Sequence, residues 1–202
     1  DVCSSDLSIL IGLMICAVCW AAVGFHLSAE RDRTLNAAIT EATRLSQLLE
    51  ANTAGLIKGI DRTLLLMRLA YEENPENFNF HLWADRAIAA GDVTTEVGLI
   101  DAKGLLQRRT DYKGPPIDLS DREHFKFQAS SRVDQPFISK PIVLRSSGQT
   151  QIQVSRRLRK ANGDFDGIIV ASINPNHIVE FYKSLNLPRN DNVILRGLDG
   201  DI

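Results

Sequence analysis

The sequence predicts an α+β protein: an N-terminal transmembrane helix continuing into a long helix, then a five-stranded antiparallel sheet flanked by helices. Three observations predict it. A run without any Asp, Glu, Lys or Arg extends from Leu7 to Leu27. A proline-free stretch of helix-forming composition follows, from Ser28 to about Ala70. Beyond Gly91 the pattern changes to short alternating segments separated by Gly, Pro, Asn and Asp.

Roughly 20 apolar residues cross a bilayer as a helix, so residues 1–27 read as a membrane anchor that contacts lipid through residues 7–27. A cleaved signal peptide is the alternative. Ala21-Ala22-Val23-Gly24 would suit cleavage, but no basic residue precedes the apolar run. The chain begins without Met, and Asp1 to Asp6 is acidic, so a fragment is expected, with residues 1–7 not native to it. Arg31 and Arg33 follow the span and, taken alone, would place the rest in the cytoplasm; with one flank missing, that rule carries little weight. Cys16 and Cys19 form a CxxC inside the span, where two small packing residues are a simpler reading than a redox or zinc pair. No cysteine lies beyond the span, so no disulfide framework is expected there.

Residues 28–70 form the long helix. Leu35, Ala38, Ala42, Leu45, Leu49, Asn52, Leu56, Gly59, Thr63 and Leu66 recur at spacings of three and four, a heptad stripe. Two readings are open: the stripe packs on the following domain, or it also pairs with a second copy as a homodimer. Asn52 at a core position would fix the register of such a pair.

A turn at Glu72-Glu73-Asn74-Pro75 leads to an amphipathic helix, Asn79 to Ala90, with Phe80, Trp83, Ala87 and Ile88 on one side and Gly91 ending it. Thr95–Ile100 and Leu105–Thr110 read as a hairpin turning at Asp101–Gly104. Ser120 with Glu123 forms a capping box for a helix running to about Ser130. Phe137–Leu144, Thr150–Arg159 and Phe165–Ile173 read as a meander, turning at Ser146–Gly148 and Asn162–Gly163. Pro175 opens a helix to about Ser184. Asp191–Leu198 reads as the start of another strand.

All 23 Lys and Arg lie after Leu27, as do 23 of the 25 Asp and Glu, Asp1 and Asp6 being the others. The part beyond the anchor is therefore formally neutral, and nucleic acid, which needs a basic surface, is not an expected partner. His26, His81, His124 and His177 are scattered, with no HxxxH or HExxH spacing. No P-loop, GxGxxG or GxSxG is present. No catalytic residue, metal site or cofactor is expected in this stretch.

The motifs Leu119-Ser-Asp-Arg-Glu-His-Phe125 and Phe137-Ile-Ser-Lys-Pro141 resemble those of the double Cache sensor domains, as do Val154-Ser-Arg-Arg-Leu158 and Gly167-Ile-Ile-Val-Ala-Ser-Ile-Asn174. These PAS-like domains sit outside the bacterial cell membrane on histidine kinases, diguanylate cyclases and chemoreceptors. The resemblance implies a membrane-distal Cache module over residues 71–188 and the start of a truncated proximal module at 189–202. It also implies that the domain lies outside the inner membrane, sensing a small molecule for an output domain absent from this stretch. A ligand-free dimerisation module is the alternative.

The resemblance further implies a ligand between the sheet and its capping segment. Arg122 matches the family's carboxylate-holding arginine, and His124 and Phe125 stand at its aromatic positions. Asn174 replaces the aspartate that holds an amine, so a carboxylate-only or neutral ligand is expected over an α-amino acid. From the residues themselves, a guanidinium suits a carboxylate. Gln151, Gln153 and Ser155 share one face of their strand by period-two alternation, with Ser139 on a neighbouring strand. Against this, Arg122 could pair with Asp118, Asp121 or a loop carbonyl. His124 and Phe125 could be packing residues, and Gln151 and Gln153 a solvated face. Arg156, Arg157 and Arg159 read as surface charges.

Overall fold

The computed structural model describes residues 2–90, 94–110 and 112–184. The expected strand at Asp191–Leu198, the proximal-module start at 189–202 and the terminating Gly91 lie outside the described residues. The chain divides into two compact units, Asp1–Ala51 and Asn52–Ile202. The apolar run and the long helix are one element, α1 (Val2–Glu73). It stops where Pro75 disfavours helical geometry in the residue before it, and the Asn74 side chain accepts a hydrogen bond from the Asn77 amide at 3.2 Å. Within the first unit, the segment from Gly12 onward is long and apolar enough to cross a membrane, and Leu13, Trp20 and Phe25 on it are exposed.

The second unit is an α+β domain. After α1 come α2 (Phe80–Ala90), β1 (Thr94–Asp101), β2 (Leu106–Arg109), α3 (Glu123–Ser130), β3 (Phe137–Ile138), β4 (Ile142–Val143), β5 (Thr150–Arg159), β6 (Phe165–Ile173) and α4 (Pro175–Ser184). The antiparallel sheet has the order β2-β1-β6-β5-β3, with β4 also on β5. The last three expected strands form the meander read from their turns. The first of these is broken in two, however, because Ser139-Lys140-Pro141 interrupts the ladder and Pro141 has no amide hydrogen to give it. The sheet closes by pairing β1 with β6, so Val97 lies opposite Ala171 and Leu99 opposite Ile169.

Strand alternation sorts the side chains onto two faces. One face carries Val97, Leu99, Val154, Leu158, Ile169, Ala171 and Ile173 against Ile60, Leu64 and Met67 of α1 and Phe80, Ala84 and Ala87 of α2. Leu64, Met67 and Phe80 are essentially inaccessible to water. Burying each contributes about 1.5–3 kcal/mol relative to exposure. The helical stripe that packs is Ile57, Ile60, Leu64, Met67 and Tyr71, turned by about one residue from the stripe expected at Asn52, Leu56, Gly59, Thr63 and Leu66. The expected stripe is only partly used: Asn52, Gly59 and Leu66 are exposed.

Two glycines are required by their backbones. Gly104 turns the β1–β2 hairpin at φ +87°, and a Cβ there would lie 2.6 Å from the Cα of Ser120. Gly167 has φ +131°, and its Cβ would lie 2.1 Å from the Ile100 carbonyl oxygen across the β1–β6 pair.

Two arginines of β5, Arg156 and Arg157, depart from the expected surface role, whereas the Arg159 side chain is 38% exposed. Arg156 alternates with Val154 and Leu158, so it faces the helices, and it is 6% exposed. A buried guanidinium needs carboxylate partners. Arg156 has Asp61 of α1 in a bidentate pair at 2.6 and 2.7 Å and Asp134 at 2.8 Å. Asp134 also accepts two hydrogen bonds from Arg68, at 2.7 and 3.0 Å, and pairs with Arg159 at 2.7 Å. Arg157, on the opposite face, donates to the carbonyls of Gln128 and Ser131 and stacks over Phe165.

Candidate functional site

The other sheet face carries a mixed row. Register places Glu96 of β1 opposite Ser172 of β6, and Ser172 opposite Gln153 of β5. Gln153 and Ser172 are 3% and 4% exposed and hydrogen-bond to each other at 3.0 and 3.2 Å, each group serving as donor and acceptor. Beside this row lies a smaller core of Ile100, Leu106, Phe125, Ile168 and Val170.

A cavity of about 30 Å³ opens over this face. Its floor is Gly98 and Ile100 of β1, Gln153 of β5, and Val170 and Ser172 of β6. Arg122 and His124 close one end, where the chain enters α3. The roof is the segment around β4, through Ile142, Leu144, Arg145 and Ser146. That volume suits water and not an organic molecule, so a ligand requires the roof to lift.

The roof is tied down from both sides. Arg122 Nη2 donates to the carbonyl of Val143 at 3.1 Å. In the other direction Arg145 forms a bidentate pair with Asp121, at 2.8 and 2.7 Å, and donates to the Asp118 carbonyl at 2.6 Å. Arg109, at the end of β2, pairs with Glu96 and donates to the Ser146 hydroxyl.

α3 begins differently from the sequence expectation. Arg122 is its N-cap residue, without a side-chain cap bond, so the Ser120–Glu123 capping box does not form. The carboxylate of Asp118 takes the Ser120 amide instead, at 2.9 Å, and this delays helix entry until Glu123. The consequence is that Arg122 projects from the extended residue just before the helix, over the cavity.

Charge balance distinguishes Arg122. Arg109 and Arg145 each hold a carboxylate, whereas no carboxylate among the described residues pairs with Arg122. His124 is 3% exposed; burial, aided by the neighbouring Arg122 charge, pushes its pKa down to about 4. It is therefore neutral at pH 7.

The cavity thus brings together Arg122, His124 and Gln153 of the residues expected from sequence. The others serve the scaffold around it. Phe125 stands one layer back, 7% exposed, edge-on to Phe165 at 5.7 Å. Ser139 Oγ accepts the Gln153 amide at 2.9 Å and donates to the Lys140 carbonyl, repairing the ladder at the β3–β4 break. Ser155 Oγ donates to the His124 carbonyl at 3.4 Å. Asn174 is the cap of α4, its side chain accepting the Asn176 amide at 2.9 Å; it does not line the cavity. Arg109, Arg145, Ser146 and Ser172 line it without having been singled out. Alternation could have found Ser172, two residues after Val170, but the three-dimensional return of Arg145 has no signature in sequence.

This fold, with a cavity between sheet and capping segment, is that of a PAS-like, Cache-type sensor domain, as the sequence motifs indicated. The sequence matches no family model and no curated protein. Among solved structures it is similar to the extracellular domain assigned to the histidine kinase rpHK1S-Z16, at 27% identity and TM-score 0.65 over 70% of this chain and 59% of that one. It is also similar in fold to the ligand-binding domain of the Pseudomonas fluorescens chemoreceptor CtaA in complex with L-alanine (20% identity, TM-score 0.60, covering 70% of this chain and 61% of that one). A third likeness of fold is to the ligand-binding domain of the Pseudomonas aeruginosa PAO1 amino-acid chemoreceptor PctC in complex with GABA (18%, 0.57, 73% and 66%). The chain spans about three fifths of the first of these domains. These neighbours are sensor or ligand-binding domains, not catalytic ones.

Proposed function

We propose that this chain is the extracytoplasmic sensing part of a bacterial inner-membrane signalling protein, binding a small carboxylate in the cavity beneath the β4 roof. The observation that carries the reading is Arg122: a guanidinium lining the cavity with a carbonyl, and no carboxylate, as its partner. A ligand carboxylate offers it a charge-assisted bidentate pair, stronger than the bond to the Val143 carbonyl. Exchange of partners frees one tie on the roof, so ligand affinity differs between roof-down and roof-up arrangements, as any ligand-driven switch requires.

A route to the helix exists. α3 ends at the Gln128 and Ser131 carbonyls held by Arg157, and the following loop carries Asp134, bonded to Arg68 of α1. A shift of α3 therefore reaches α1, which we read as crossing the membrane through residues 7–27 toward a histidine kinase or diguanylate cyclase output domain. Leu66 and Leu69, each 58% exposed on α1, support pairing with a second copy.

The test is a thermal-shift screen of the full chain in detergent against a broad small-molecule library. Carboxylates are expected to raise the melting temperature, and Arg122→Ala to weaken binding by about 10- to 100-fold. No response to any compound would sink the sensing role and leave the ligand-free dimerisation module.

A further inference from the structure

We infer that Asp121 and Glu96 act as built-in competitors that restrict this cavity to ligands with one carboxylate and no ammonium group. The inference rests on the carboxylate reading of the Arg122 site and specifies its ligand class. Among the described residues three guanidiniums line the cavity, those of Arg109, Arg122 and Arg145, and no Asp or Glu does. Left uncompensated, three positive charges around one small space would select a polyanion. Two are already committed. Glu96 holds Arg109, and their side chains are 14% and 9% exposed. Asp121 holds Arg145 with both carboxylate oxygens, at 2.8 and 2.7 Å. His124, buried and neutral, adds no charge. Among the described residues Arg122 is the lining guanidinium with no carboxylate in salt-bridge contact, and a ligand carboxylate meets it.

The same commitment excludes an amine. A ligand ammonium needs an acceptor with negative charge; Glu96 and Asp121 already face guanidiniums, and the Asp118 carboxylate is taken by the Ser120 amide. The polar groups on the floor, Gln153 and Ser172, are bonded to one another. The two competitors differ in strength. The Glu96–Arg109 pair is nearly dry, so displacing it leaves a buried charge unmatched. The Asp121–Arg145 pair is wet, with side chains 56% and 41% exposed, and such pairs are weak. Asp121 is therefore the residue whose removal opens the site to a second carboxylate, through Arg145, without disturbing the buried sheet.

Propionate, L-alanine and succinate differ by one group each and serve as probes. Titration calorimetry on the full chain in detergent is expected to show propionate binding at least about 10-fold tighter than either of the others, a difference of about 1.4 kcal/mol. In Asp121→Asn, succinate is expected to gain about 10-fold or more while propionate changes less than about 3-fold. Asp121→Asn combined with Arg145→Gln should lose that gain. Wild-type binding of succinate or L-alanine as tight as propionate overturns the inference and leaves the Arg122 site standing. So does an Asp121→Asn variant, folded by its melting curve, in which succinate gains nothing. Absence of binding by all three probes to the wild type, with Arg122→Ala no different, overturns both.

Discussion

The two faces of β5 solve the same problem, polar groups inside a small domain, in opposite ways. On the helix face, Arg156 sits between Val154 and Leu158 and is satisfied by carboxylates from α1 and from the loop before β3. Its ties run to residues 95 and 22 positions away in sequence, and the surrounding core side chains are buried. On the cavity face, Gln153 and Ser172 satisfy each other locally, and the roof that carries Arg145 is held by a few surface-exposed bonds. The first face is built to stay as it is. The second has ties that the proposed ligand would exchange. Under the proposed sensing role, the contrast would let one sheet couple a movable site to a long helix without losing its fold.

The comparison can be broken most severely on the helix face. Leu64 is 1% exposed between α1 and the sheet, so Leu64→Ala is expected to cost about 2–5 kcal/mol through lost burial and the cavity left behind. Chemical denaturation of the full chain in detergent measures it. Val143, exposed on the roof, should lose less than about 0.5 kcal/mol on change to Ala. Similar losses at both positions would mean that the faces do not differ.

Acid separates the faces next. His124, on the cavity face, has its pKa pushed down to about 4 by burial, against an unfolded value near 6.5. The unfolded chain binds the proton first. Stability is therefore expected to fall as pH drops from about 6.5 to about 4, and to be insensitive to this group above 7. The loss is on the order of 3 kcal/mol. Melting temperatures at half-unit pH steps should show this slope, and His124→Phe should flatten it. A slope unchanged in the variant would refute the assignment to His124.

Much of this architecture can be read along the chain. Helix and strand order, the hairpin at Asp101–Gly104, and the shared face of Gln151, Gln153 and Ser155 all follow from periodicity and turn residues, which are local. Arg122, His124 and Gln153 were placed near one cavity because a motif and an alternation agreed. The misreadings have one cause. Whether Arg156 is solvated or buried depends on Asp61, which only the fold brings to it. Ser120 fits a capping box, yet Asp118 competes for its amide and wins. Asn174 looked like a ligand contact but caps α4, a role that only backbone geometry reveals. The α1 stripe lies about one residue from the sequence expectation because Leu56 and Ile57 are both apolar and both partly buried, leaving sequence two candidate seams.

A smaller loss than at Leu64 or His124 is expected at the junction between the faces. Asp134 follows α3 and binds three arginines, Arg68 among them, whose hydrogen bonds, with lesser help from the charges of Arg68, Arg159 and Arg156, hold its pKa down to about 2. Removing one partner of a fully buried pair costs about 3–5 kcal/mol. Here the Asp134 side chain is 37% exposed and Arg156 retains Asp61, so Asp134→Asn is expected to cost only about 1–2 kcal/mol after screening by water. The acid response gives the sharper readout. A depressed carboxylate stabilises the fold above its unfolded pKa near 3.9, and that contribution disappears as pH falls toward 2. The wild type should therefore lose stability in two windows, 6.5 to 4 from His124 and 4 to 2 in part from Asp134, with Asp134→Asn reducing only the lower one. If the variant also alters the upper window, the ionic cluster and the cavity behave as a single unit. The division of labour between the two faces would then not hold.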